Sequence, residues 1–272
     1  MGKLPVAAQI YTVRDEAERD FLSVVKQIKE MGYDGAELAG LYRYSPSEIK
    51  AMLSEAGLKP VSAHVPVQDW LDNMEKTADD YKEIGCEYVA IPYLGEDRRP
   101  GSESFPETLD LIRKIGNLCN ERGMKLLYHN HDFEFITMPS GLFGLDEIYA
   151  QVSPELLQTE IDTCWVKVSG VDPAEFIRKY TGRSPVVHLK DYVGRKTENM
   201  YNLIGQKPTV EEESVQFQFR AVGDGCQDWA GILQASLDAG SKWFVVEQDM
   251  HNMYTPMEDL RRSREYLRSL GW

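Results

Sequence analysis

A chain of 272 residues, 42% hydrophobic and 27% charged, has the composition of a globular protein with a large core. Its formal net charge of −14, from 30 basic and 44 acidic residues, would repel a phosphate backbone, and no dense Lys/Arg run offsets it, so nucleic acid is not an expected partner. No stretch approaches the roughly 20 apolar residues of a membrane span, and the first residues lack an apolar signal core.

The predicted elements alternate from the start. Val6–Ile10 reads as a first strand, and Phe21, Val24, Val25, Ile28 and Met31 recur at helical spacing before Gly32. Gly35–Leu38 is a short second strand. Ser45-Pro-Ser-Glu48 is a capping box with proline at the first helical position, and Gly57 ends that helix. Pro60–His64 and Tyr88–Pro92 follow as strands three and four. Leu109, Ile112, Ile115 and Leu118 then mark a helix that stops at Gly123. Lys125–Asn130 and Leu157–Asp162 are strands five and six, and Asp172-Pro173 opens another helix. Pro185–Lys190 is the seventh strand, Asp228 caps a helix that Gly240 ends, and Trp243–Glu247 is the eighth. A last helix from about Pro256 to Leu270 should pack back against the first.

Eight short, apolar, often β-branched runs separated by helices predict a (β/α)8 TIM barrel forming a single domain over residues 1–272. The competing topology is an open doubly wound sheet. Its Gly-x-Gly-x-x-Gly turn is absent after the first strand, where the chain reads Tyr11-Thr-Val-Arg14. The connection at about 191–227 is too long for a turn and predicts a lid over the site. Cys86, Cys119, Cys164 and Cys226 are widely spaced and form no C-x-x-C pair, which fits reduced thiols and a cytoplasmic protein.

All five histidines fall at downstream strand ends: His64, His129 and His131, His188, and His251. In a parallel barrel those ends share the face that carries chemistry, which suggests one site. The fifth strand offers His129, then His131 and Glu134; the sixth offers Glu160 and Asp162. The seventh offers His188 and Lys190, and the eighth Glu247 and Asp249. Residues two apart share a face, so these groups converge. Such a nitrogen and oxygen donor set suits one divalent ion of the Mn, Co, Mg or Zn kind. Gln9, Tyr11, Glu37 and His64, on the first three strands, are candidate hydroxyl contacts for a sugar or polyol. Trp70, Trp229 and the Phe133/Phe135 pair are expected to pack helices on the barrel.

Leu126–Phe135, Glu160–Trp165, Val171-Asp-Pro, Val187–Asp191, Gly223–Trp229 and Val245–Asp249 together resemble the sugar phosphate isomerase/epimerase family, over essentially the whole chain. The resemblance implies a xylose-isomerase-like TIM barrel and a divalent ion held by strands five to eight. Asp162, His188 and Glu247 match the last three ligands. The first departs, because His129 stands where glutamate is usual, leaving His129 or Glu134 for that place. Trp165 stands where epimerases often keep a substrate-binding histidine, and an indole there would stack on a sugar face.

The expected activity is metal-dependent sugar isomerisation or epimerisation, by proton abstraction next to a carbonyl through an enediolate. Glu247 or His131 would be the base, Glu134 or His131 would return the proton, and Lys190 would hydrogen-bond an oxygen of the intermediate. A keto-sugar or keto-inositol dehydratase or lyase, and a non-catalytic sugar-binding barrel, are the alternatives. A nuclease of the AP-endonuclease kind needs a basic groove, which the net charge opposes. No phosphate cradle stands out, so the substrate is expected to be unphosphorylated. Analogy with relatives implies a homo-oligomer.

Overall fold

A computed structural model of the chain describes residues 3–196 and 217–272. The barrel strands are β1 (Val6–Gln9), β2 (Gly35–Ala39), β3 (Lys59–His64), β4 (Tyr88–Ile91), β5 (Lys125–His129), β6 (Gln158–Asp162), β7 (Val186–Leu189) and β10 (Trp243–Val246). All pair in parallel and close as β1-β10-β7-β6-β5-β4-β3-β2. The predicted runs match these strands to within one or two residues. The ring is a single TIM-barrel domain, and an open sheet is excluded by the β1–β10 pairing.

The helices are α1 (Arg14–Met31), α2 (Pro46–Ala56), α3 (Val67–Ile84), α4 (Phe105–Glu121), α5 (Gly144–Gln151), α6 (Thr163–Val168), α7 (Pro173–Lys179), α8 (Trp229–Asp238) and α9 (Pro256–Ser269). Ser45 and Glu48 form the predicted capping box of α2, and Asp172 and Asp228 cap α7 and α8. Tyr33 donates to the Leu260 carbonyl and Arg264 to that of Gly32, so α9 locks onto the end of α1 and seals the ring. Two helices, not one, follow β6, because Gly170 at φ 82° breaks the segment before Asp172 restarts it. Among the described residues no helix is long and apolar enough to cross a membrane.

The long connection expected as a lid begins and ends as a ribbon. Strand β8 (Asp191–Val193) pairs antiparallel with β9 (Gln218–Arg220). Its middle, 197–216, lies outside the described residues. Asp191 organises the return: its carboxylate accepts from the backbone N–H groups of Gly223, Gly225, Cys226 and Gln227 and from the Trp229 indole. A Cβ on Gly225 would lie 2.1 Å from Asp191 Oδ1, so the close turn requires glycine there.

The barrel interior has two storeys. Ala7, Val61, Tyr88, Leu127, Val186, Trp243 and Val245 fill the end near the strand starts as an apolar plug. Two residues further along, β1, β5 and β7 present Gln9, His129 and His188 instead, and Glu247 directly follows β10, all nearly or fully buried. The period of two puts each pair on the same inward face.

Candidate active site

Local backbone chemistry sets the orientation of the upper storey. Asp162 ends β6 and caps α6, its Oδ1 accepting from the Trp165 N–H at 3.0 Å. One carboxylate oxygen is therefore held, and the other, Oδ2, faces the barrel axis. Asn130 clamps the same point: its Oδ1 accepts from the Asp162 N–H at 3.0 Å. The Thr163 hydroxyl donates to the His188 carbonyl, tying β6 to β7 where both release their functional side chains. Asn130 escaped the sequence reading, although its place between two histidines on a strand end was a signal.

His129 Nε2 lies 3.8 Å from Asp162 Oδ2 and 4.0 Å from Glu247 Oε2, and His188 Nδ1 lies 3.1 Å from Glu247 Oε2. Donor atoms of these four residues all fall within 4.8 Å of one another. Ligands bonded at roughly 2.0–2.2 Å to one ion stand about 3–4.4 Å apart, so the set fits a divalent cation. Asp162 Oδ2 receives no hydrogen bond of normal geometry, leaving a lone pair for that role.

Lys190 is the fixed cation of this layer. Its Nζ lies 2.8 Å from Glu247, 3.1 Å from Asp249 and 3.2 Å from Asp162. Trp165 and Phe219 each hold their rings 5.5 Å from it. Burial works against its charge, but Asp162, Asp249 and Glu247 outweigh burial and hold it protonated far into alkaline pH. Burial likewise disfavours the Glu247 carboxylate, and Lys190 and His188 more than reverse that, so it stays ionised. Asp249 is pushed up to about 6 by burial despite Lys190.

Deeper in the barrel, Glu37 and Glu160 are fully buried among imidazoles. His64 Nε2 lies 2.7 Å from Glu160 and 3.2 Å from Glu37, and His188 Nε2 lies 2.7 Å from Glu37. Gln9 donates to Glu37 at 2.6 Å. Burial alone would raise the Glu37 carboxyl, but His188 and His64 bring it down to about 2. Burial and the Glu37 charge push Glu160 up to about 7.

A cavity of about 450 Å³ opens over this storey. Tyr11, His64, His129, His131, Lys190 and Glu247 border it, together with Asp249 and the apolar wall of Pro66, Pro92 and Tyr93. His131 stacks on Phe133 with ring centroids 5.5 Å apart and meets Tyr93 edge-on at 5.3 Å. Burial and the nearby Lys190 charge hold its imidazole neutral.

The structure thus brings His129, His131, Asp162, His188, Lys190 and Glu247 together, with Tyr11 and His64 on the cavity wall. Three expected residues stand elsewhere. Glu134 turns away from the ion set: its oxygens accept from the Tyr128 hydroxyl at 2.7 Å and the His131 N–H at 2.8 Å. His129, unlike Glu134, offers a ring nitrogen to the Asp162, His188 and Glu247 group. Burial raises the Glu134 carboxyl to about 8. Trp165 does not border the cavity; it is fully buried against Phe217 and Phe219, because α6 starts immediately after Asp162 and carries the indole sideways. Glu37 lies beneath the cavity floor among the histidines and not among its lining residues. Nor does His251 join the other four histidines: it bridges Asp259 at 2.7 Å and the Thr12 carbonyl at 2.9 Å, pinning a loop to α9.

Trp70 and Phe135 pack as expected, and Trp229 adds its bond to Asp191. Asp191 takes no part in holding Lys190, whose ion-pair partners are Asp162, Glu247 and Asp249; it serves its own loop. Glu160 and Asp249, read from the sequence only as members of the converging donor set, prove central to the charge arrangement.

Comparison with known proteins agrees with this geometry. Residues 25–270 match the family described as xylose isomerase-like TIM barrel, and the chain belongs to it. It is 24% identical over 269 residues to an inosose dehydratase of Geobacillus kaustophilus, covering 90% of this chain and 85% of the relative. An inosose dehydratase of Clostridium beijerinckii is 26% identical over 282 residues, with 92% and 90% covered. Among solved structures, a sugar phosphate isomerase/epimerase from Parabacteroides distasonis superposes with a TM-score of 0.78 at 18% identity, covering 99% of this chain and 95% of the other. A probable 3-DHS dehydratase from Bacillus anthracis gives 0.73 at 14% identity, with 97% of each chain covered.

Proposed function

We propose that the chain is a divalent-metal-dependent lyase that removes water from a small, unphosphorylated keto-polyol. The observation carrying this is an imidazole, His131, on the wall of a cavity also lined by Lys190, His129 and Glu247, the last two grouped with Asp162 and His188 in one donor set. A divalent ion on that set, of the Mn, Co, Mg or Zn kind, would supply Lewis-acid stabilisation of negative charge growing on a carbonyl oxygen.

The protein's own groups do the rest. Lys190, held ionised by three carboxylates, presents fixed positive charge in a water-poor site, where it counts for more than in bulk. His131 takes the proton from the carbon next to the carbonyl. The imidazolium then donates that proton to the hydroxyl leaving from the adjacent carbon, so the C–H bond electrons become the new double bond and water departs. Its stacking on Phe133 fixes the ring plane for both transfers. Tyr11 and His64 contact the remaining hydroxyls. The acidic lining, Asp69, Glu247 and Asp249, disfavours a phosphorylated substrate. The relatives named inosose dehydratase support dehydration over isomerisation.

Isomerisation or epimerisation is the second reading, favoured by one feature. Asp249, raised to about 6, borders the same cavity as His131 and would serve as a second proton-transfer group. Incubating the Mn2+-loaded chain with a keto-inositol and analysing products by mass separates them. A product lighter by one water supports the lyase. Solvent deuterium retained in an isomer of unchanged formula would contradict it.

A further inference from the structure

We infer that Trp165 is a positioning residue: its indole, part of a run of aromatic rings outside the cavity, sets the plane and place of the His131 imidazole. The inference rests on the proposed role of His131 as proton carrier and adds how the fold aims it. Five rings follow one another in contact from the β8–β9 ribbon to the cavity wall. Tyr192 of β8 stacks with Phe217, directly before β9, at a centroid distance of 4.9 Å. Phe217 lies 6.3 Å from Trp165 with the two planes 9° apart. Trp165 then meets His131 at 5.2 Å with a tilt of 33°, and His131 stacks on Phe133 at 5.5 Å and 6°.

Hydrogen bonding does not aim this imidazole. A histidine that moves protons is ordinarily oriented by a carboxylate or carbonyl on its second ring nitrogen. His131 Nδ1 is buried and has no hydrogen-bond partner among the described residues. The Glu134 carboxylate accepts from the His131 backbone N–H and does not reach the ring. Orientation therefore falls to the neighbouring rings, Trp165, Phe133, Tyr93 and His129. Phe133 and Tyr93 are partly exposed and His129 belongs to the donor set, so the fully buried Trp165 is the rigid reference.

The indole serves as a surface rather than as a donor, since its Nε1 has no hydrogen-bond partner among the described residues. Its ring also lies 5.5 Å from Lys190 Nζ, and Phe219, edge-on to Trp165 at 5.9 Å, lies equally far from that ammonium. Trp165 thus contacts both the proton carrier and the fixed cation without bordering the cavity. Its backbone N–H donates to Asp162 Oδ1, a bond that any side-chain replacement keeps. Cutting the ring away therefore loosens His131 while Asp162 stays capped.

Small errors of aim are costly: moving a reacting group by about 1 Å can cost about 100-fold in rate. Trp165→Leu should lower kcat on a keto-inositol roughly 10- to 100-fold, with KM changed less than about 2-fold, because the ring lies outside the cavity. Trp165→Phe restores a flat face and should recover most of the loss. A purely structural role would lower the yield of folded protein and leave kcat per folded molecule unchanged.

The test is a double-mutant cycle on the Mn2+-loaded chain, its corners the unmodified protein, Trp165→Leu, His131→Asn and the two combined. If Trp165 acts through His131, its loss should cost nothing further once His131 is gone. Equal losses in both backgrounds would overturn the inference and leave the proposed reaction standing. Full turnover by His131→Asn would overturn the proposed role of His131. NMR of the Mg2+-loaded chain decides the inference without any turnover. The His131 Cε1–H signal, identified by its absence in His131→Asn, should be single in the unmodified chain and in Trp165→Phe, and broadened or doubled in Trp165→Leu. A single sharp signal in Trp165→Leu would overturn the inference. Should Trp165→Leu misfold, Phe217→Leu, which removes the ring stacked on the indole, takes its place in both measurements, with a smaller loss of the same kind expected and no effect in either overturning the inference.

Discussion

The two ends of the barrel interior use the same strands for opposite purposes. Near the strand starts, Val186, Val245 and Leu127 belong to one buried apolar cluster that excludes water. One inward step later, the same strands carry His188 and His129, and Glu247 directly follows β10. Packing stabilises the first layer, at roughly 1.5–3 kcal/mol per large apolar side chain buried. The second layer buries charge, which costs free energy unless every charge is paired.

Changes in the two layers should therefore separate activity from stability. The largest effect is expected for His131→Asn, which keeps a polar side chain on the cavity wall but removes the proton carrier. Turnover should fall roughly 100- to 10,000-fold with little change in melting temperature. An equal loss of both would place His131 in the scaffold instead.

Next in size, Lys190→Met leaves Asp162, Glu247 and Asp249 without their shared ammonium. The metal-free chain should lose about 3–5 kcal/mol by denaturant titration. Added Mn2+ should restore part of that loss, because a cation substitutes for the missing one. Leu127→Ala, in the plug, should cost about 2–5 kcal/mol whether or not metal is present. Turnover per folded molecule should not change. Metal rescue of Leu127→Ala, or none for Lys190→Met, would erase the distinction between the layers.

A smaller effect comes from Glu134. Its raised carboxyl, at about 8, holds a proton more tightly in the folded chain than in the unfolded one. Stability is then lost as pH climbs from the unfolded value of 4.5 through about 8. Glu134→Gln mimics the protonated form and escapes that loss. Its melting temperature should exceed that of the unmodified chain by at least roughly 2 °C near pH 9, and not near pH 5. Smallest of all is His251→Gln. It should lower the melting temperature slightly by loosening the Asp259 and Thr12 tie, and leave metal content unchanged.

Much of this was legible in the sequence because strands and caps are local signals. Short β-branched runs, the Ser45 capping box and the Asp172-Pro173 start each need only neighbouring residues, and each stands where expected. Parity along a strand also brought Asp162, His188 and Glu247 to one face. What failed was whatever depended on direction after a strand ends. Glu134 follows His131 by three residues, yet the turn sends its side chain to Tyr128. Trp165 follows Asp162 by three residues on a helix that turns it away from the cavity. His251 sits two residues past Asp249 in sequence, but the loop has left the barrel by then. Asp191 directly follows Lys190, yet its carboxylate serves backbone groups more than 30 residues on, a relation no local pattern reveals.

The most direct measurement follows the hydrogens next to the carbonyl of a keto-inositol by NMR in heavy water. Mn2+-loaded protein should exchange or eliminate one of them, and metal-stripped protein and Asp162→Asn should do neither. Loss of that hydrogen at the same rate with and without metal, or its persistence in loaded protein, would contradict the account.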